Sequence, residues 1–193
     1  MKVAIVKYNA GNIRSVDFAL KRLGVDASIT DNHKELQAAD KVIFPGVGEA
    51  STTMEYLRER GLDELIRGLE QPVLGICLGL QLMCAASEEG ATDCIGIFDL
   101  TAKKFEPRLK VPHMGWNSIG SIGGKLIPPD LEGRYTYFVH SYYAPVGIHT
   151  SAVTNYMIPF SAALERDNFY AAQFHPEKSG SVGEMILKSF LAL

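Results

Sequence analysis

A cysteine between two glycines, in the sequence Gly-Ile-Cys-Leu-Gly at 75–79, is the residue of this chain best suited to covalent chemistry. It follows an apolar run at 72–76 and precedes a helical pattern at 78–86, which is a strand-turn-helix context with a tight backbone. A helix that starts at Leu78 favours a thiolate and offers the Leu78 N–H to a developing oxyanion. The pattern predicts that Cys77 is a nucleophile, and a buried structural thiol is the alternative.

A histidine and a glutamate near the end of the sequence provide the matching base. Residues 169–174 have the pattern of a strand, which delivers His175-Pro176-Glu177 at its end. Residues two apart in an extended segment point to the same side, so the imidazole and the carboxylate can form a hydrogen bond. A carboxylate beside an imidazole fixes its tautomer and stabilises the imidazolium. A lone histidine is more often packed or exposed than catalytic, so the prediction depends on its conjunction with Cys77.

Length and composition limit the class of protein. With 193 residues and 47% hydrophobic content, the chain can bury one sizeable core, and we expect a single domain over residues 1–193. The net charge of −3 gives no basic footprint for nucleic acid. Apolar stretches are too short to span a bilayer and residues 1–6 resemble a strand rather than a signal peptide, so we expect a cytoplasmic protein.

The cysteine count argues against a disulfide framework. The three cysteines are spaced unlike disulfide partners or a paired metal site. We expect Cys84, on the helix after Cys77, and Cys94, near the next strand, to be reduced packing residues. Neither a metal site nor a cofactor is predicted.

Strand and helix patterns alternate through the first half of the chain. The predicted strands are 3–6, 25–29, 41–44 and 72–76, and the predicted helices are about 12–23, 33–39 with Asp31 as a cap, and two within 49–69. This order predicts an α/β fold with a mostly parallel central sheet, helices on both faces and right-handed crossovers.

The pattern changes beyond residue 93. Shorter strands separated by Gly and Pro turns, including 115–125 and 135–139, predict added antiparallel strands, and an amphipathic helix follows at about 181–193.

The ends of three predicted strands carry the chemistry. In an open α/β sheet the ligand site lies beyond the carboxyl ends of the strands, so Pro-Gly-Val-Gly at 45–48 should share one crevice with Cys77 and His175. Glycine lets the backbone approach a substrate, so Val47 or Gly48 is predicted to supply a second oxyanion donor beside Leu78. A sharp turn without a function is the alternative.

Seven segments resemble the class I glutamine amidotransferases, whose Cys-His-Glu triad matches Cys77, His175 and Glu177. The segments are 8–12 (Tyr-Asn-Ala-Gly-Asn), 45–48, 75–82, 87–89 (Ser-Glu-Glu), 112–117 (Pro-His-Met-Gly-Trp-Asn), 138–142 (Phe-Val-His-Ser-Tyr) and 173–179 (Gln-Phe-His-Pro-Glu-Lys-Ser). The resemblance covers nearly the whole chain and implies a flavodoxin-like layered fold. The segments at 45–48 and 112–117 are similar to the branch of glutaminase subunits found in imidazole glycerol phosphate synthases of histidine biosynthesis.

The resemblance also implies a set of residues around bound L-glutamine: Gly48, Gln81, Glu89, His140, Ser141 and Tyr142. Gln81 follows Cys77 by four residues on one helix face, and Glu89 offers a negative group to the substrate ammonium. From the residues alone, alternatives remain: Gln81 as a solvated helix residue, Glu89 as part of a charged turn, and His140 as a packed strand-end histidine.

A protein partner is implied by the same branch of the family. Its members pass ammonia to a separate cyclase subunit in a heterodimer, and no domain for that second reaction fits in this chain. We expect the partner to contact Asn12, Pro112, Met114, Trp116, Tyr137 and Lys178. Core packing of Trp116 is the alternative.

Two other classes of function share these features. A stand-alone Cys-His-Glu hydrolase or peptidase would have the same triad and fold, and would differ in its substrate. A non-catalytic binding module would normally have lost part of the triad, whereas all three residues are present, so this class ranks last.

Overall fold

The computed structural model describes residues 1–8 and 12–193. Asn9, Ala10 and Gly11, which belong to the family-like segment at 8–12, lie outside the described residues. The first part of the chain forms β1 (Val3–Val6), α1 (Ile13–Arg22), β2 (Ala27–Thr30), α2 (His33–Gln37), β3 (Lys41–Gly46), α3 (Ala50–Glu59), α4 (Leu62–Arg67), β4 (Val73–Cys77) and α5 (Leu78–Met83).

Shorter strands dominate the second part of the chain. They are β5 (Cys84–Ser87), β6 (Thr92–Asp93), β7 (Phe98–Lys104), β8 (His113–Ser118), β9 (Tyr135–His140), β10 (Tyr142–Tyr143), β11 (Thr150–Tyr156), β12 (Ile158–Arg166) and β13 (Phe169–Ala172), followed by α6 (Gly180–Ala192). Short 3₁₀ turns occupy Glu89–Ala91, Pro129–Leu131 and Pro176–Lys178.

The central sheet of the described residues has the strand order β11-β12-β13-β4-β3-β1-β2. Its β13-β4-β3-β1-β2 part is parallel, whereas β11 and β12 add antiparallel pairs at one edge. Strand β4, which carries Cys77, therefore lies between β3 and β13. The predicted α/β class, its mostly parallel sheet and its antiparallel additions are confirmed.

Both faces of the central sheet are buried. Along β1, Val3 and Ile5 pack into one apolar cluster with α1 and α6, while Ala4 and Val6 pack into a second cluster with α3 and α4. Side chains alternate between the two faces of a strand, so one strand contributes to both clusters. This two-layer burial makes the strand ends rigid supports for side chains at the sheet edge.

Two smaller sheets accompany the central one. Strands β10-β7-β5-β6 form the first, and β8 pairs with β9 as an antiparallel hairpin. The hairpin register places His113 directly opposite His140 and Trp116 opposite Tyr137.

Several sequence predictions were wrong in their bounds. The helix after Cys77 ends at Met83, and Cys84 starts β5 instead of continuing the helix. The strand predicted at 115–125 is β8, Ser118 being its last residue. The cap of α2 is Asn32 rather than Asp31, because the Asn32 side chain accepts from the N–H groups of Lys34 and Glu35. No helix in the described part of the chain is long and apolar enough to cross a membrane.

Candidate active site

Cys77 occupies the sharp turn between β4 and α5. Its φ of +54° is a conformation that L residues rarely adopt. The flanking glycines make the turn possible, because a Cβ at Gly79 would lie 2.1 Å from the carbonyl oxygen of Phe44, and a Cβ at Gly75 would lie 3.0 Å from the Gly79 backbone. The predicted turn geometry at Cys77 is confirmed.

His175 follows β13, the parallel neighbour of β4. Its Nδ1 lies 2.7 Å from Oε1 of Glu177. The sequence correctly predicted this contact but gave the wrong local reason for it. Pro176–Lys178 is a 3₁₀ turn, so the carboxylate reaches the imidazole by folding back rather than by continuing an extended strand.

Backbone contacts hold the turn after β13 in place. The N–H of His175 donates to the Tyr137 carbonyl at 2.9 Å, and the hydroxyl of Ser179 donates to the His175 carbonyl at 2.7 Å. Ser179 also accepts from the N–H of Tyr137 at 3.0 Å. The position of the imidazole is therefore fixed by both β13 and β9.

The side chains of His175 and Glu177 are both fully buried. Burial lowers the pKa of His175, but the neighbouring Cys77 sulfur and Glu177 carboxylate outweigh it and raise that pKa to about 10. Nε2 of His175 and Oε2 of Glu177 make no hydrogen bond within residues 1–8 and 12–193. An unpaired ring nitrogen in such a buried place is suited to taking up and returning a proton.

A cavity of about 290 Å³ opens over Cys77. All the residues that the family resemblance implies around glutamine line it, as do the three predicted oxyanion residues. The lining consists of Val47, Gly48, Cys77, Leu78, Gln81, Glu89, Pro112, Val139, His140, Ser141 and Tyr142. The structure thus brings together residues from the loop after β3, the end of β4, α5 and β9 in one concave site.

A larger cavity, of about 650 Å³, lies on the outer side of Phe105 and Tyr143 and contains none of the predicted catalytic residues. Its lining combines Lys103 and Arg108 with Glu88, all of them exposed. The smaller cavity is therefore the candidate active site.

The loop at 45–48 is tightly packed at its first two residues and has free space around its last, Gly48. The Tyr8 hydroxyl donates to the Pro45 carbonyl, and a Cβ at Gly46 would lie 2.7 Å from that hydroxyl and 2.6 Å from Cβ of Leu78. Gly48 has a φ of +134° and no atom within 4 Å of an added Cβ. The loop therefore packs tightly against the start of α5, while its tip borders the cavity.

Glu89 gives the cavity a negative end. Its Oε2 accepts from the N–H of Ala50 at 2.8 Å. Burial raises the pKa of Glu89, the Ala50 hydrogen bond opposes this, and the nearby Glu49 adds to it. A half-buried carboxylate in this place is suited to pair with an ammonium group.

The other wall of the cavity contains neutral polar groups. His140 Nδ1 lies 2.8 Å from the Tyr142 carbonyl oxygen, and His140 Nε2 lies 3.0 Å from Nδ1 of His113. Burial is the main cause that lowers the pKa of His140 to about 3 and that of His113 to about 4. Both imidazoles are therefore neutral at physiological pH.

The residues expected to face a partner divide into two groups. Met114 and Trp116 are each 55% exposed, and Lys178 is exposed as well, so core packing of Trp116 is wrong. Tyr137 is half-buried against Trp116, with ring centroids 6.0 Å apart.

Asn12 and Pro112 lie at the site itself. The Asn12 amide is buried and donates to Oε1 of Glu177, so its side chain is engaged inside the chain rather than presented to a partner. Pro112 lines the cavity.

Sequence reasoning missed Gln173 and Val139. Gln173 is fully buried and its Nε2 lies 3.7 Å from the Cys77 sulfur, while the thiol faces the Val139 carbonyl at the same distance. Gln173 could have been found, because it lies two residues before His175 and so shares its face of the strand. Val139 acts through its backbone, for which side-chain identity gives no signal.

The family model for "Glutamine amidotransferase class-I" matches residues 4–193. The chain is 64% identical to "Imidazole glycerol phosphate synthase subunit HisH" of Bacteroides thetaiotaomicron, over 100% of both chains. It is 44% identical to the protein of the same name from Pasteurella multocida, over 98% of this chain and 96% of that one.

Solved structures share the fold at low identity. "Crystal structure of glutamine amidotransferase" is 19% identical and superposes with a TM-score of 0.76, over 98% of this chain and 97% of that chain. "Structure of PurLQS from Thermotoga maritima" is 14% identical with a TM-score of 0.74, over 99% and 97%.

Proposed function

Since this chain belongs to the class I glutamine amidotransferase family, we propose that Cys77, His175 and Glu177 form its catalytic triad and hydrolyse L-glutamine to glutamate and ammonia. The observation that carries this proposal is the position of Cys77. It lies in a strained turn at the floor of a cavity, beside a histidine that is paired to a buried carboxylate.

The first half of the reaction forms a thioester. His175 Nε2 takes the proton of the Cys77 thiol before the attack, as its raised pKa favours, and the sulfur attacks the side-chain amide carbon of glutamine as a thiolate. The amide oxygen becomes an oxyanion, which the N–H of Leu78 and an N–H from the loop at Val47 or Gly48 stabilise. When the carbon–nitrogen bond breaks, His175 returns the proton to the departing nitrogen, which leaves as ammonia.

The second half releases glutamate. His175 takes a proton from a water molecule, and the resulting hydroxide attacks the thioester carbon. The carbon–sulfur bond breaks, the Cys77 sulfur leaves with the electron pair, and the same two N–H groups hold the oxyanion. Glu177 stabilises the imidazolium in both halves without accepting its proton.

Substrate recognition follows from the cavity wall. Glu89 pairs with the substrate ammonium, and Gln81, Ser141 and the backbone at Gly48 and Tyr142 surround the rest of the molecule. With one carboxylate at one end and Cys77 at the other, the cavity favours an amino acid whose amide lies at the end of its side chain.

The ammonia serves imidazole glycerol phosphate synthesis in histidine biosynthesis. Full-length relatives at 64% and 44% identity carry the name of that synthase's subunit, which supports the assignment. In our proposal the chain forms a cytoplasmic heterodimer with a cyclase subunit, which receives the ammonia. The exposed Met114, Trp116 and Lys178, beside the cavity wall, form the contact surface.

The test separates the use of glutamine from the use of ammonia. In the complex with the cyclase, Cys77→Ser should abolish synthesis from glutamine and leave synthesis from added ammonium salt nearly unchanged, because only the first needs the thiol. Equal loss of both activities in a folded complex contradicts the proposal. A stand-alone hydrolase or peptidase would instead cleave peptides or esters without glutamine, and such turnover would favour that alternative.

A further inference from the structure

A line of hydrogen-bonded side chains runs from the end of β8 to the cavity wall. Asn117 Nδ2 lies 3.3 Å from His113 Nε2, His113 Nδ1 lies 3.0 Å from His140 Nε2, and His140 Nδ1 lies 2.8 Å from the Tyr142 carbonyl oxygen. Only His140 and Tyr142 border the cavity. Neither Asn117 nor His113 takes part in the proposed reaction.

The orientation of the Asn117 amide is fixed from outside this line. Its Oδ1 accepts from the N–H of Ser118 at 2.9 Å, and its Nδ2 donates to the carbonyl of Asn155 at 3.0 Å. Both contacts require the nitrogen to face His113. Nε2 of His113 is therefore an acceptor.

The tautomers of both histidines follow from the two ends of the line. A neutral imidazole has one N–H, and Nε2 of His113 accepts, so its Nδ1 carries the hydrogen and donates to His140 Nε2. Nδ1 of His140 in turn faces a carbonyl oxygen, which can only accept. Every bond in the line thus points from Asn117 toward Tyr142, and reversing one would place two acceptors against each other.

Aromatic rings keep this line neutral and in place. His113 stacks on Tyr156 and on Phe138, with ring centroids 4.1 and 4.9 Å apart. His140 packs against Phe105 and Phe160, at 5.4 and 5.2 Å. A charged imidazolium in such surroundings would be costly, so the donor-to-acceptor order is the only low-energy arrangement.

The line continues from the Tyr142 carbonyl to the nucleophile. Gln81 Nε2 donates to that carbonyl at 2.9 Å and to Oε1 of Gln173 at 3.2 Å. Gln173 Nε2 then points at the Cys77 sulfur, 3.7 Å away. The Tyr142 carbonyl is therefore a junction between the histidine line and the side chains around Cys77.

We propose that Asn117 and His113 are positioning residues of the glutamine site, because they fix the tautomer of His140 and through it the Tyr142 carbonyl to which Gln81 is bound. This inference rests on the proposed function, since glutamine is the ligand of the cavity. Neither residue touches the substrate. Their loss should weaken glutamine binding more than it slows the chemical step.

Asn117→Asp is the most direct test, because it keeps the size of the side chain and replaces the donor with an acceptor. The carboxylate opposes the lone pair of His113 Nε2. A reversed line would oppose His140 Nδ1 to the Tyr142 carbonyl, and a protonated His113 would place an imidazolium between the rings of Tyr156 and Phe138, so either response disturbs the line. In the complex with the cyclase, we expect KM for glutamine to rise about tenfold and kcat to change by less than about threefold.

The matched control is Asn168→Asp. Asn168 is also half-buried, and its Nδ2 donates to the carbonyls of Leu69 and Gln71, at the opposite edge of the sheet from Cys77. The same chemical change there should lower thermal stability without raising KM. If both variants have the same KM as the wild type, or if both raise it equally, the positioning role is wrong.

Two substitutions at His113 add a rescue test. His113→Phe keeps a ring for the stack and removes both hydrogen bonds, so KM should rise as in Asn117→Asp. His113→Asn places an amide N–H near the position of Nδ1 and should keep KM within about threefold of the wild type. Equal KM values for the two variants overturn the proposal. If His113→Phe does not fold, the KM of Asn117→Asp alone tests the positioning role.

Nitrogen-15 NMR of the imidazole rings tests the line without any assay. Both His113 and His140 should show protonated Nδ1 and unprotonated Nε2, and either ring in the opposite tautomer overturns the proposal. The wild-type complex is assayed on glutamine first. Absence of turnover there refutes the proposed function and the positioning role with it, whereas normal turnover with an unaffected Asn117→Asp refutes the positioning role alone.

Discussion

Two groups of buried histidine lie around the candidate active site, and burial has opposite outcomes for their pKa values. His175, at the end of the central sheet, has Glu177 at 2.7 Å and the thiol of Cys77 nearby, and its pKa is raised to about 10. His113 and His140, in the hairpin wall, are surrounded by aromatic rings and neutral amides, and their pKa values are lowered to about 4 and 3.

Burial is common to both groups, so burial does not decide the charge of a histidine. The sign of the pKa change depends on whether a negative partner is buried with the ring. The sheet side of the cavity is thus equipped to move protons, whereas the hairpin side is equipped to keep them fixed. In our proposal, the sheet side performs the reaction, and the hairpin side preserves the shape of the site.

The largest expected difference between the two sides concerns catalysis. His175→Ala should lower glutamine turnover in the complex about 10³-fold or more, because it removes the group that takes up and returns the proton. Synthesis from ammonium salt serves as the control and should persist. A loss below tenfold would show that the sheet side does not hold the proton carrier.

Glu177→Gln should have a smaller effect, about 10- to 100-fold in kcat. The amide keeps the size of the side chain but cannot stabilise an imidazolium, so the base remains while its charged form is weakened. Measuring kcat and KM separately checks this, because KM should stay nearly constant. An unchanged kcat would mean that the buried pair has no catalytic role.

The lowered pKa of His113, on the hairpin side, should make the free energy of unfolding depend on pH. The folded-state pKa of His113, about 4, lies below its ordinary value of 6.5, so the unfolded chain binds more protons between those values. The stability gained by keeping His113 neutral is complete above pH 6.5 and is lost as the pH falls toward 4. At pH 5 the loss, discounted for solvent screening, is about 1 kcal/mol.

Urea unfolding of wild type and His113→Phe at pH 7 and pH 5 measures this contribution. The wild type should lose about 1 kcal/mol more than the variant on acidification, because phenylalanine has no proton to bind. Identical losses would mean that His113 is accessible to protons in the folded state.

The smallest predicted effect lies on the outer face of the hairpin. Trp116→Ala should weaken association with the cyclase by about 1–2 kcal/mol and leave the melting temperature of the isolated chain nearly unchanged, because this side chain is 55% exposed. Titration calorimetry measures the association. Trp116→Phe, which keeps an aromatic ring, is the matched control and should lose less.

The sequence predicts most of the sheet side and little of the hairpin side. Cys77 could be predicted because its glycine neighbours and its strand-turn-helix context are local in the sequence. His175 and Glu177 could be predicted because the two lie within one short segment. The carboxyl-edge rule then placed both beside the loop at 45–48. The family resemblance, rather than periodicity, supplied the residues around glutamine.

The hairpin side depends on contacts that no local pattern encodes. His113 and His140 are paired by the register of two strands 27 residues apart, and the direction of their hydrogen bonds depends on an amide on one end and a backbone carbonyl on the other. The helix that ends at Met83 rather than near residue 86 has a similar cause. Tertiary pairing of β5 with β7 and β6 overrides its helical pattern.

The position of β13 in the central sheet affects how the protein matures during translation. Strand β4 pairs with β3, which precedes it, but its other neighbour is β13, and the Gln173 that touches Cys77 lies 96 residues further along. A ribosome delivers these segments in order. A nascent chain whose synthesis has reached only β12 contains Cys77 but not yet His175. Under the proposed mechanism, unfinished chains therefore cannot hydrolyse glutamine, and the enzyme becomes competent only when its last strand inserts between β4 and β12.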